Sequence, residues 1–77
     1  METHKLKIKQ LYAIKHFEKK KHWELRYNDR NFKVNDLIEF FIIETGVTYK
    51  RKIVYIYKNE IGGLKDNFII LSLELMN

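Results

Sequence analysis

Apolar and polar positions change period several times along this chain, and each change marks an element. Leu6–Ile8 alternates apolar with basic, the pattern of a short strand. From about Lys9 to Lys20 the spacing becomes helical. Leu11, Ile14 and Phe17 recur every three residues, with Tyr12 and Ala13 beside them. Lys15, Glu18 and Lys19 fall largely outside that stripe, and the lysines near its end suit the negative pole of the helix dipole. "HWELRYN" returns to period two: Trp23, Leu25 and Tyr27 face one way, His22, Glu24, Arg26 and Asn28 the other. The apolar set is expected to face the core.

Leu37–Glu44, "LIEFFIIE", is almost wholly apolar and rich in β-branched and aromatic types, which predicts a strand buried on much of both faces. Thr45–Gly46 supplies a hairpin turn, and "TYKRKIVYIYK" is the returning strand. Gly62–Gly63 punctuates the chain before a last strand, Phe68–Leu75. "NDRN" and "VND" carry turn chemistry, and Asn35 tolerates a left-handed backbone. Strand, helix and four strands predict one α+β domain over residues 1–77, a small five-stranded β-barrel or strongly curled sheet with one helix between the first two strands. Full closure would remove the apolar strand edges. Trp23, Leu25, Phe40, Ile42, Ile53, Ile56, Phe68 and Ile70 are expected to fill the core.

Composition narrows the function classes. An apolar fraction of 45% suffices for one small core. The chain has no cysteine, which excludes disulfides and thiolate metal sites. No run approaches a membrane span, and the N-terminus lacks the apolar stretch of a signal peptide. A cytoplasmic domain without membrane contact is the expectation. The net charge of +5 is unevenly placed: residues 1–33 hold ten Lys/Arg against four acids, residues 34–77 five against six. That asymmetry points to an anionic partner, nucleic acid first, against the alternative of a solvated lysine-rich face.

The charges of "KKKHWELRYNDR", Lys19–Arg30, sharpen the question. Glu24 and Arg26, two apart on a strand, project on one side about 7 Å apart at their origins. Lys21 is placed to reach the same carboxylate, and Asp29 and Arg30 in the following turn add a second pair. Spacing alone leaves open whether these form an exposed ion-pair ladder or converge on a site. His4, His16 and His22 share no ligand spacing, and no metal site or cofactor is expected. His16 is expected at the surface or boundary.

The wording of this stretch resembles the ASCH superfamily, whose barrel is similar to the PUA domain. Its signature, Gly-x-Lys-x-x-Glu-x-Arg, is matched by Lys21, Glu24 and Arg26, with Lys19 in place of the glycine. A small bacterial and phage branch is similar further: a His-x-Leu-Lys-Ile opening at His4, Leu6, Lys7 and Ile8, an Asn-Asp-Arg turn at Asn28–Arg30, and a Val-Gly-Asp turn that reads Val34-Asn35-Asp36 here. The Gly63-Leu64 pair before the last strand also fits.

The resemblance implies a PUA-like barrel with a cleft that binds single-stranded RNA or a nucleotide. The residues it implicates are His4, Lys7, Lys21, Glu24, Arg26, Asp29 and Arg30, with Glu24 accepting hydrogen bonds from a base. Some relatives hydrolyse N-acylated cytidine through the motif lysine, or cleave RNA, so the alternative is a small hydrolase acting through Lys21 and Glu24. In the cytidine hydrolases a threonine matches Glu24 and a further glutamate lies in a long insertion. This chain has neither.

Overall fold

The structure is a computed structural model and describes residues 1–75. Its elements are β1 (Thr3–Ile8), α1 (Gln10–Phe17), β2 (Trp23–Tyr27), β3 (Leu37–Ile42), β4 (Thr48–Tyr57) and β5 (Phe68–Leu75). The strands form one sheet in the order β1-β3-β4-β5-β2. β1 runs parallel to β3, with Leu6 opposite Phe40, and every other neighbour is antiparallel. Five strands and a helix after the first match the expected order. The closure does not: β1 and β2 are the two ends of the strand order, and among the described residues no ladder joins them. The molecule is a half-barrel with an open seam.

Isoleucine and leucine side chains and the Phe40 ring on the inner face make the core. Leu6 and Ile8 of β1, Ile38, Phe40 and Ile42 of β3, Ile53 and Ile56 of β4, and Ile69, Leu71 and Leu73 of β5 are all buried. Phe40, Ile42, Ile53 and Ile56 lie where the pattern put them. Phe68 and Ile70 do not: β5 buries the odd-numbered set, leaving these two half-buried. In a strand apolar on both faces, composition carries no phase. β2 also departs from expectation, since Trp23 and Leu25 are 47% and 44% exposed while Glu24 faces inward.

The helix is shorter than its pattern and turned about its axis. It buries Ala13 and His16 and leaves Leu11, Ile14 and Phe17 largely exposed. Its inner face meets the Phe40 and Tyr49 rings, with His16 centred 5.3 Å from Phe40 and 5.9 Å from Tyr49. His16 is therefore a core residue rather than a surface one. At the helix start, Glu44 of the β3–β4 hairpin accepts from the Gln10 amide at 2.8 Å, placing a carboxylate at the positive pole. At its end Lys20 N bonds Lys15 O and Lys19 N bonds His16 O, the paired bonds of a Schellman turn. Lys19 holds the left-handed position at φ 60°, where the resembled motif has glycine. Asn35 likewise sits at φ 79°.

His4 and Asp36 tie the first strand to the loop before β3. Both are buried, and His4 Nε2 donates to Asp36 Oδ2 at 2.8 Å. The same carboxylate accepts from the Glu2 and Lys33 amides at 3.0 and 3.1 Å. Burial alone would raise the Asp36 pKa, but these three donors outweigh it and hold the carboxyl below its ordinary range. Their stabilisation is present above the ordinary carboxylate pKa of about 3.9 and is lost as pH falls through the lower folded value. Asp36→Asn, which keeps a single acceptor oxygen, should cost about 1–3 kcal/mol at neutral pH. In urea melts from neutral pH to below 3.9, the wild type should lose stability on the acid side more steeply than Asp36→Asn. Parallel acid limbs would remove Asp36 from this role.

Candidate nucleic-acid interface

Period two in β2 sends Glu24 and Arg26 to the same side, and the structure places that side on the interior. The Glu24 side chain is only 8% exposed. Its Oε1 accepts from Lys21 Nζ at 3.0 Å, and its Oε2 accepts from Arg26 Nε at 3.1 Å and Nη2 at 3.0 Å. Arg26 Nη2 also donates to the Lys7 carbonyl of β1 at 2.8 Å. One guanidinium thus spans the seam that no strand pairing closes. The charges converge, and the ladder reading is set aside for Lys21, Glu24 and Arg26. Asp29 and Arg30 remain an exposed pair at 4.0 Å, a separation worth little in water.

Lys21 has a second set of contacts. Its ammonium lies 4.8 Å from the centres of both the Tyr12 and Trp23 rings. Trp23 thereby has a reason to face outward: it carries one wall of the lysine's cage. A carboxylate and two ring faces around one ammonium make Lys21 a positioning charge.

Behind Glu24 sits a neutral pair. His16 is buried, and burial lowers its pKa more than the Trp23 carbonyl and Glu24 raise it. Its Nε2 faces the Trp23 carbonyl at 3.3 Å, and its Nδ1 lies 2.8 Å from the Tyr49 hydroxyl. A carbonyl can only accept, so the proton is assigned to Nε2, and Tyr49 donates to Nδ1. Burial also pushes the Tyr49 hydroxyl far above its ordinary pKa, and Glu24 adds to the rise.

The seam itself is a cleft of ≈ 440 Å³ lined by Lys5, Leu6, Lys7, Arg26, Tyr27, Asp29, Arg30 and Phe32. Four of the expected site residues, Lys7, Arg26, Asp29 and Arg30, come together there. Three do not. His4 is buried against Asp36, Lys21 lies on the other flank of Glu24, and Glu24 has both oxygens engaged by its own cations. Glu24 thus positions Arg26 rather than offering a free acceptor to a base. Lys5, Phe32 and Arg51 were legible only in part: Lys5 shares the outward phase of Lys7, and Tyr49, Arg51 and Ile53 alternate on one face of β4.

Glu24→Gln leaves Lys21 and Arg26 without a counter-charge. Removing one member of a wholly buried pair costs ~3–5 kcal/mol. Lys21 and Arg26 side chains are 14% and 25% exposed and reach water, so a loss of about 2 kcal/mol is expected in chemical denaturation. A change below about 0.5 kcal/mol would show that Glu24 does not hold β2 in place.

No helix among the described residues is long and apolar enough to cross a membrane. No curated protein matches the chain. Residues 3–73, from the first strand into the last, match a protein family described as a domain of unknown function. With nearly its whole length matched, the chain belongs to the family DUF3850.

Proposed function

We propose that the seam between β1 and β2 is a binding groove for single-stranded RNA or a nucleotide, in a domain of PUA-like type. The observation that carries this reading is the lining: Lys5, Lys7, Arg26 and Arg30 against one acid, Asp29, around a cleft of ≈ 440 Å³. Lysines and arginines that neutralise phosphates release counterions, which supplies affinity. Tyr27, 49% exposed beside them, offers a ring face for stacking, and Phe32 forms part of the floor. A groove with an aromatic wall suits unpaired bases, which a duplex keeps stacked. The resemblance to ASCH domains runs the same way, because its Lys-x-x-Glu-x-Arg words include Arg26, which spans this seam. The hydrolase alternative through Lys21 and Glu24 has less support, since both groups are committed to structural partners.

Titration of the full chain with a short labelled single-stranded RNA tests the reading. Lys5, Lys7 and Arg30 making three phosphate contacts give a log–log salt slope near −2, at ~0.7 per contact. Arg30→Ala, at a side chain that is 48% exposed, should weaken binding and flatten that slope by ~0.7. A duplex of the same sequence should bind more weakly. Absence of binding at low salt, or a slope that Arg30→Ala leaves unchanged, overturns the groove.

A further inference from the structure

At the end of β2 the chain runs between two clefts. Tyr27 and Asp29 line the seam, while Asn28 between them lines a second cleft of ≈ 440 Å³. The two linings share no residue. The second cleft falls within the size range of small-ligand sites, roughly 300–1,000 Å³. Its other walls come from the connection between β4 and β5, through Lys58, Asp66 and Asn67, and from Phe68 at the head of β5.

Hydrogen bonds fix these walls. The Asn59 carboxamide donates to the Leu64 carbonyl at 3.1 Å and accepts from the Leu64 amide at 3.0 Å, closing the connection on itself. The Tyr57 hydroxyl donates to the Gly62 carbonyl at 2.8 Å. The Asn28 amide donates to the Asn67 carbonyl at 2.8 Å, which ties the turn after β2 to the start of β5. Asn59 and Asn67 hold left-handed backbones at φ 67° and 66°, a region asparagine tolerates better than most residues. The three asparagines are used differently. Asn59 is spent on the connection, whereas among the described residues no hydrogen bond engages the side chains of Asn28 and Asn67.

The charge of the lining is balanced, Lys58 against Asp66. Such a lining gives phosphate no net attraction, in contrast to the four cations and one acid of the seam. What it offers is donors and acceptors side by side, since each carboxamide carries an NH2 group and a carbonyl oxygen at its tip. Adenine presents the complement, an amino group next to a ring nitrogen, and asparagine pairs with it through two bonds. The Asp66 carboxylate is a further acceptor for an amino group. Phe68 is half-buried and met edge-on by Tyr27 at 5.6 Å, so its ring offers a fixed surface on which a base stacks.

We propose that this cleft is a base-recognition pocket, in which Asn28 and Asn67 read the edge of an adenine stacked on Phe68. The proposal deepens the RNA reading of the seam and rests on it: Tyr27-Asn28-Asp29 brings the two clefts together at one short segment, so a strand with its phosphates in the seam places a neighbouring base in the pocket.

Nuclear magnetic resonance titration of the full chain with adenosine, which carries no phosphate, tests the pocket apart from the seam. Saturable shifts are expected at the Asn28 and Asn67 side-chain NH2 signals and at the Phe68 ring. Uridine should bind about tenfold more weakly, the discrimination of one bidentate asparagine–adenine pair, and ribose should give no shifts. One adenine placed within a short oligouridylate should raise affinity by the same factor. Asn28→Ala removes an exposed side chain, and Asn67→Gly suits the positive φ there, so both keep the fold. Each should reduce the adenine preference and leave the salt slope unchanged, because neither removes a charge. Arg30→Ala should do the reverse. Equal shifts from uridine or ribose, or an adenine preference that survives both asparagine substitutions, would overturn the pocket. Adenosine shifts in a chain that binds no RNA would overturn the seam and uphold the pocket.

Discussion

A carboxylate taken out of water must have its oxygens occupied, and the setting of β2 follows from how Glu24 meets that demand. Lys21 precedes it across the helix-to-strand join, Arg26 follows two residues on, and each takes one oxygen. Slipping β2 by one residue against β5 would send Glu24 to solvent and the indole of Trp23 inward, moving every β2 side chain to the other face. The ion-pair cluster thus sets register, in addition to any net stability it contributes. Beneath it the interior changes character. Towards β3 and β5 it is aliphatic, whereas around Glu24 it is a polar layer of His16, Tyr49 and Arg51.

Local chemistry made several elements legible. The Thr45–Gly46 hairpin needs a residue at positive φ, and Gly46 sits at φ 76°. Asn35 was readable for the same reason, and β3 as a strand from its β-branched and aromatic run. Only its Ile38, Phe40 and Ile42 face is fully buried, and Phe41 on the other is 42% exposed. Phase was not readable where the two faces compete. In β2, alternation shows that the faces differ without saying which is interior, and the aromatic face is the natural first choice. What reverses it is tertiary: His16 of the helix lies 3.6 Å from Glu24 and the Lys7 carbonyl of β1 receives Arg26, while Trp23 covers Lys21, and Tyr27 meets Phe68 edge-on at 5.6 Å. The helix was misjudged for a related reason. Ala13 is small enough to approach the sheet closely, and His16 finds two hydrogen-bond partners beneath it, so the bulkier Leu11 and Ile14 turn outward.

For the site, the words of the motif were legible and their division of labour was not. Sequence places Lys21, Glu24 and Arg26 in one group. The structure places Glu24 between two cations with different surroundings, Arg26 lining the seam cleft and Lys21 lining a smaller notch with His22 and Arg51. Arg51 was hidden because a lysine-flanked arginine in "YKRKIVY" reads as surface charge. Its phase with Ile53 was the available signal, and that signal gains meaning only once Ile53 is known to be buried.

The strand order has a consequence for how the groove comes into being. β1 and β2 are consecutive strands, joined through α1, yet they stand at opposite ends of the sheet. Everything that holds them apart at the right distance, β3, β4 and β5, is translated later. His4 must find Ile38, and Glu24 must find Leu71, before the two walls face each other. Such distant pairings close long loops, which slows folding relative to local contacts. A nascent chain that has not yet produced Phe68 already carries the basic segment and its attraction for polyanions. It has no partner strand for β2 and no second wall. Charge therefore precedes shape during synthesis, and the cleft takes form only with the last strand.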